Sequence, residues 1–137
     1  MGTAHTNFTH FLNAYLEAVW FTEEEELEQR YKELHSGEET FPRLSDMMEL
    51  SNVAIRQAEH DCKKFIRLAG TYLFATGEYS QAGHDFWLTR NGHGTGFWDR
   101  DAETYGGTIN NTALTRIAEK FGNVVVLVGR DGRVDFI

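Results

Sequence analysis

Along residues 7–20, Phe8, Phe11, Leu12, Tyr15, Leu16 and Val19 recur at three- and four-residue steps, the spacing that lines one face of an α-helix. Thr6 or Asn7 supplies the cap. Thr22 opens a second helix, and Glu25 three residues on completes a capping box with it. Leu27, Tyr31 and Leu34 form its narrow apolar stripe, and Ser36-Gly37 stops it. After a loop over 38–42, Ser45 is placed to cap the longest helix. Met48, Ser51, Ile55, Ala58, Cys62, Phe65 and Ala69 recur along it at helical steps, and Ala54 and Ile66 widen the stripe. Gly70 ends or kinks this helix, and Gly77 to Gly83 read as a loop or a short helical turn.

The pattern changes over His84–Arg100, HDFWLTRNGHGTGFWDR, the stretch densest in aromatics and glycine. Asn91-Gly92-His93-Gly94 offers the positive-φ positions of a tight reversal, so the stretch reads as a β-hairpin with Gly92-His93 at its tip. In that register Trp87 faces Trp98, Leu88 faces Phe97 and Asp85 faces Arg100. Alternation then puts Phe86, Leu88 and Phe97 on one face and Trp87 and Trp98 on the other. Both faces are apolar, which suits a pair covered twice or one that leaves a face for a partner.

Beyond it, Asp101–Gly107 connects to a short helix near 112–121, capped by Asn110 or Asn111, with Leu114, Ile117, Ala118 and Phe121 facing inward. Val124–Val128 is the clearest strand, and Arg130-Asp131-Gly132 turns it into a second hairpin whose Val124, Val126, Val128, Val134 and Phe136 share a face. The expected architecture is therefore α-α-α-ββ-α-ββ. It is an α+β fold in one domain, residues 1–137, with an antiparallel sheet of about four strands backed by helices. Residues 1–40 form an acidic helical part and 43–137 the α+β core.

The string AGHDFWLTRNGHGTGFWDR at 82–100 resembles a motif of small bacteriophage and mobile-element proteins. In that family a Cys-x-x-Phe helix precedes the motif, matched here by Cys62 and Phe65. A short helix and a VGxDGxV ending follow it, matched by 112–121 and by Val128 to Val134. The resemblance covers roughly the last 80 residues. It implies a phage or mobile-element context and carries over neither an activity nor site residues.

Charge sharpens the picture. The net charge is −8, yet residues 1–49 hold 11 Asp and Glu against 3 Lys and Arg, while 50–137 hold 10 of each. The whole excess sits in the first third, a field that repels nucleic-acid backbone and attracts basic surfaces. One cysteine excludes an internal disulfide and fits a reducing cytoplasm, here that of a host cell. No apolar run is long enough to span a membrane.

Candidate chemistry is thin. Gly92-His93-Gly94-Thr95-Gly96 lacks the strand-to-helix context and the Lys-Ser/Thr of a phosphate loop. His84, Asp85 and Asp101 can be drawn together as a small hydrolase site, but an ion pair or strand-end cap explains them as well. No metal set and no cofactor motif is expected. Cys62 falls on the apolar stripe of the long helix, as a core residue does. Arg56, Lys63, Lys64 and Arg67 form a basic strip on its opposite face.

The expected function is a protein-binding inhibitor of host nucleic-acid-handling or defence machinery, of anti-CRISPR or anti-restriction type, with an acidic surface that mimics nucleic acid. Its contact residues would be Glu17, Glu23, Glu24, Glu25, Glu26, Glu28 and Glu33, with Glu38 and Glu39. Trp20 or Trp98 would anchor it. The partner would be a host protein with a basic surface, with no direct nucleic-acid binding, no membrane contact, and an oligomeric state left open. Two alternatives stand beside it: a single-stranded nucleic-acid module that stacks bases on the Trp87/Trp98 face, and the His84/Asp85/Asp101 hydrolase.

Overall fold

The computed structural model describes residues 4–38, 49–74 and 77–137. Its elements, in chain order, are α1 (Ala4–Leu34), β1 (Glu49–Leu50), α2 (Asn52–Ala69), α3 (Thr71–Phe74), α4 (Tyr79–Arg90), a 3-10 turn (Phe97–Asp99), α5 (Ala102–Tyr105), α6 (Thr108–Glu119), β2 (Val126–Val128) and β3 (Arg133–Phe136). The expected four-stranded antiparallel α+β arrangement is overturned. The described chain is mostly helical, and its sheet is small and mixed, in the order β1-β3-β2 with β1 parallel to β3.

The first correction concerns α1, which runs unbroken through the expected break at Thr22. A capping box requires the Thr22 hydroxyl to face forward. It instead donates back to the Ala18 carbonyl at 2.9 Å, which a mid-helix threonine can do. The same oxygen accepts the Trp87 indole N–H at 2.8 Å. At 1.5 Å per residue the rod is about 46 Å long.

The second correction is larger: no hairpin forms over 84–100. His84–Arg90 belongs to α4, and Trp98 lies in the 3-10 turn. The apolar run Phe86-Trp87-Leu88 has no polar residue to alternate with, and a helix wrapped on nearly all sides gives that same pattern. All of Asp85 through Arg90 is buried. Gly83 allows the enclosure, because a Cβ there would run into the Phe11 backbone carbonyl of α1. Gly92, at φ +70, then takes the left-handed position that follows the helix end. The Asp85–Arg100 pair does form, through a helix and a turn and not across two strands.

Helix α2 is amphipathic, burying Ala54, Ala58, Cys62, Phe65 and Ala69. Its cap is Ser51, whose hydroxyl accepts from the Ala54 amide at 3.0 Å. Ser45, the expected cap, lies outside the described residues, as do Met48, Glu39 and the loop after Glu38. Helix α6 starts earlier than expected. Neither asparagine caps it: Asn110 donates to the Tyr105 carbonyl and Asn111 to that of Arg100. The strand from Val126 and the turn to Arg133 do form an antiparallel hairpin, with Gly132 at φ +82 in the turn. Its inner side chains Val124, Val126, Val128, Val134 and Phe136 are buried.

The core is aromatic. Phe65 of α2 stacks on Phe86 at 4.4 Å and on Phe97 at 5.5 Å, and Tyr15 meets Trp87 edge-on at 5.3 Å. Helix α1 lies along α4, α2 and α6 close round the cluster, and the sheet abuts one side through Phe136 against Trp87 at 5.8 Å. Among the described residues no helix is long and apolar enough to cross a membrane.

Candidate functional site

Two groups of charged side chains contrast sharply. Within the central motif the charges are interior. Asp85 is 0% exposed. Arg100 donates Nε and an NH2 hydrogen to it at 3.0 and 2.6 Å, the Tyr105 hydroxyl donates at 2.7 Å and Gln81 at 3.1 Å. Desolvation, then the Asp85 charge and hydrogen bond, hold the Tyr105 phenol far above its usual value. Arg90, with its side chain 4% exposed, donates to Asp61 at 2.8 Å, to the Tyr15 hydroxyl at 3.2 Å and to the carbonyls of Phe121 and Gly122 at 3.1 and 2.9 Å. It thereby holds the segment that follows α6, whose C-cap is Lys120, against the end of α4.

The candidate catalytic set is accordingly dispersed. Asp85 is enclosed by its four donors, Asp101 caps α5 by accepting from Glu103 and Thr104, and the His84 ring lies against Phe21 at 5.9 Å. Trp87 is fully buried, so no Trp87/Trp98 face exists for stacking bases. Trp98 itself is 53% exposed, but it projects from the 3-10 turn, which packs mainly on α6 and α4. Among the described residues no three His, Cys, Asp or Glu side chains converge as a metal site.

The second group lies on the outside of α1. Glu17, Glu24 and Glu25 are exposed and Glu28 is half-buried. At 3.6 residues per turn these four fall within an arc of about 100° along about 17 Å of helix. Phe21, 79% exposed, sits inside that arc. Among the described residues none of the four carboxylates lies within ion-pair distance of a basic side chain. A cavity of about 430 Å³ adjoins the arc, lined by Ala14, Glu17, Ser80, Gln81, His84 and Arg100.

The remaining expected contact residues point elsewhere. Glu26 pairs with Arg30 at 3.6 Å, and Glu33 accepts from Gln29 at 3.3 Å. Glu23 is half-buried, and burial followed by the neighbouring Glu26 charge raises its pKa. Glu38 is committed to His35 and Arg130, tying the end of α1 to the turn between β2 and β3. Trp20 packs partly buried against the core. Phe21 went unnoticed in the sequence because it fell at the expected junction of two helices, where it belonged to no face. A continuous helix places it four residues from Glu17 and from Glu25. The chain matches no known protein family, no curated protein and no solved structure.

Proposed function

We propose that this chain is a protein-binding accessory factor of a phage or mobile element. It would act in the host cytoplasm on a protein that handles nucleic acid, a defence nuclease being the concrete case. The observation that carries this reading is the Phe21 ring, largely exposed amid Glu17, Glu24, Glu25 and Glu28. Carboxylates spaced along one helix face offer a basic groove a row of negative charge, and the aromatic supplies an anchor at its centre. The excess of acid over base in the first third of the chain adds a field that steers such an encounter. The phage setting rests on the sequence resemblance centred on the motif at 82–100.

The test is a paired capture from bacterial lysate. Unaltered protein should retain a nucleic-acid-binding protein that duplex DNA displaces. A variant carrying Glu17→Lys, Glu24→Lys, Glu25→Lys and Glu28→Lys, and separately Phe21→Ala, should lose it. Capture that survives both variants, or that DNA does not compete, removes the proposal. Single-stranded DNA should not be shifted in a gel at low salt by the unaltered protein.

A further inference from the structure

Away from the acidic face, α2, the end of α4 and the residues that end α6 border an open cavity of about 470 Å³ lined by Gln57, Asp61, Lys64, Leu68, Arg90, Lys120 and Phe121. That volume lies within the range of small-ligand sites, roughly 300–1,000 Å³. Gln57, Asp61, Lys64 and Leu68 recur at helical steps along one side of α2, so a single rigid helix positions four of the lining side chains. The floor is the Asp61–Arg90 ion pair, which leaves that carboxylate compensated by the guanidinium. Lys64 and Lys120 stand exposed at the rim. Among the described residues neither is within ion-pair distance of a carboxylate. The Lys64 ammonium is held 5.7 Å from the centre of the Phe121 ring, within reach of a cation–π contact.

The lining therefore carries two uncompensated positive charges beside an aromatic and an aliphatic wall, in a chain whose net charge is −8. We propose that this cavity binds a small ligand in which an oxyanion, phosphate or carboxylate, is joined to a flat apolar group. The oxyanion sits between the Lys64 and Lys120 ammonium groups, where charge-assisted hydrogen bonds are strongest. The flat group lies against Phe121 and Leu68. The Arg90 guanidinium is spent on its four partners and contributes field from the floor, not a contact. The site is separate from the α1 face, and neither proposal depends on the other.

Phenyl phosphate, benzoate and inorganic phosphate are the probes. At low salt and about 1 mM ligand, a concentration that populates even weak sites, phenyl phosphate and benzoate should shift the backbone amide resonances of Lys64, Leu68, Lys120 and Phe121. Both lysines are exposed, so the double variant Lys64→Glu/Lys120→Glu keeps the fold, which its own amide spectrum verifies. It should bind at least about tenfold more weakly. Lys32→Glu, on the exposed surface of α1, should bind as the unaltered protein does. Three results each overturn the proposal: no shifts at these amides, shifts that persist undiminished in the double variant, or inorganic phosphate binding as tightly as phenyl phosphate.

Discussion

Carboxylates do opposite work at the two ends of the α1–α4 contact. On the outer face of α1, Glu17, Glu24 and Glu25 are exposed and, among the described residues, within ion-pair distance of no basic side chain, while across the contact Asp85 is sealed from solvent under four donors. The first arrangement costs the fold little and leaves charge free to meet something else. The second makes the charge a structural part, since an ion removed from water is tolerable only with its partners in place. The helical half of the central motif is thus an interior joint of the molecule.

Arg90 gives that contrast its severest test. Arg90→Ala would leave the Asp61 carboxylate with only the exposed His60 ring, and would take the donor from the Tyr15 hydroxyl and from the Phe121 and Gly122 carbonyls that follow α6. Breaking one side of a buried pair costs about 3–5 kcal/mol, against a total stability of about 5–15 kcal/mol for a domain. Urea titration should show the midpoint collapse or the cooperative transition vanish. A variant that melts near the unaltered protein would mean the guanidinium is not a joint at all.

How much of this was readable in the sequence follows from which signals are local. The stripe from Phe8 to Val19 and that from Ala54 to Ala69 are single-face patterns, and both became helices, with Phe11, Tyr15, Val19, Ala58, Cys62 and Phe65 inside and Phe8, Leu12, Leu16, Ile55 and Ile66 half-buried against the core. The run through Phe86 and Trp87 is apolar on every side, and periodicity then cannot separate a strand from an enclosed helix. Its helical outcome depends on Gly83 meeting Phe11, a contact across some 70 residues that no local rule contains. The Asp85–Arg100 pair was foreseen on a register that does not exist. It formed because Arg100, after the 3-10 turn, returns to Asp85 midway along α4. Strand β1 was missed because two residues are too few to show alternation. Phe21 was missed because its face depends on α1 being one helix.

The interior joint should also betray itself at high pH. Burial, chiefly, keeps the Tyr15 and Tyr105 phenols protonated well above the ordinary value of 10.0. Below pH 10 both the folded and unfolded chains hold these protons, and stability is level. Above it the unfolded chain releases them while the folded one does not, so stability falls as pH rises. The slope approaches about 1.4 kcal/mol per pH unit for each tyrosine. Denaturation at successive pH values above 10 should show stability falling less steeply in Tyr15→Phe, with the Tyr105 share of the slope remaining. An unchanged slope in that variant would place its hydroxyl in contact with water.

A smaller effect is expected where the long helix is held to the motif. Thr22→Val keeps the shape but removes the acceptor of the Trp87 indole N–H, which is fully buried otherwise. An orphaned buried donor costs about 1–3 kcal/mol. The loss should appear as a lower thermal midpoint with a shifted near-ultraviolet Trp signal. If Thr22→Val leaves both unchanged, the continuity of α1 past Thr22 does not rest on this bond.

The outer face should give the smallest change in stability of all. Glu17, Glu24, Glu25 and Glu28 lie away from the first and last turns of α1, so the helix dipole acts on them weakly. They pair with no cation among the described residues. Replacing each by Gln therefore removes no favourable partner and lessens repulsion within a chain of net charge −8. Each change should fall within about 0.5 kcal/mol, the usual limit for surface substitutions, and the four together should leave the melting temperature level or slightly raised. A clear fall would show these carboxylates serving the fold as Asp85 does, and the acidic face would lose its standing as a surface free to bind.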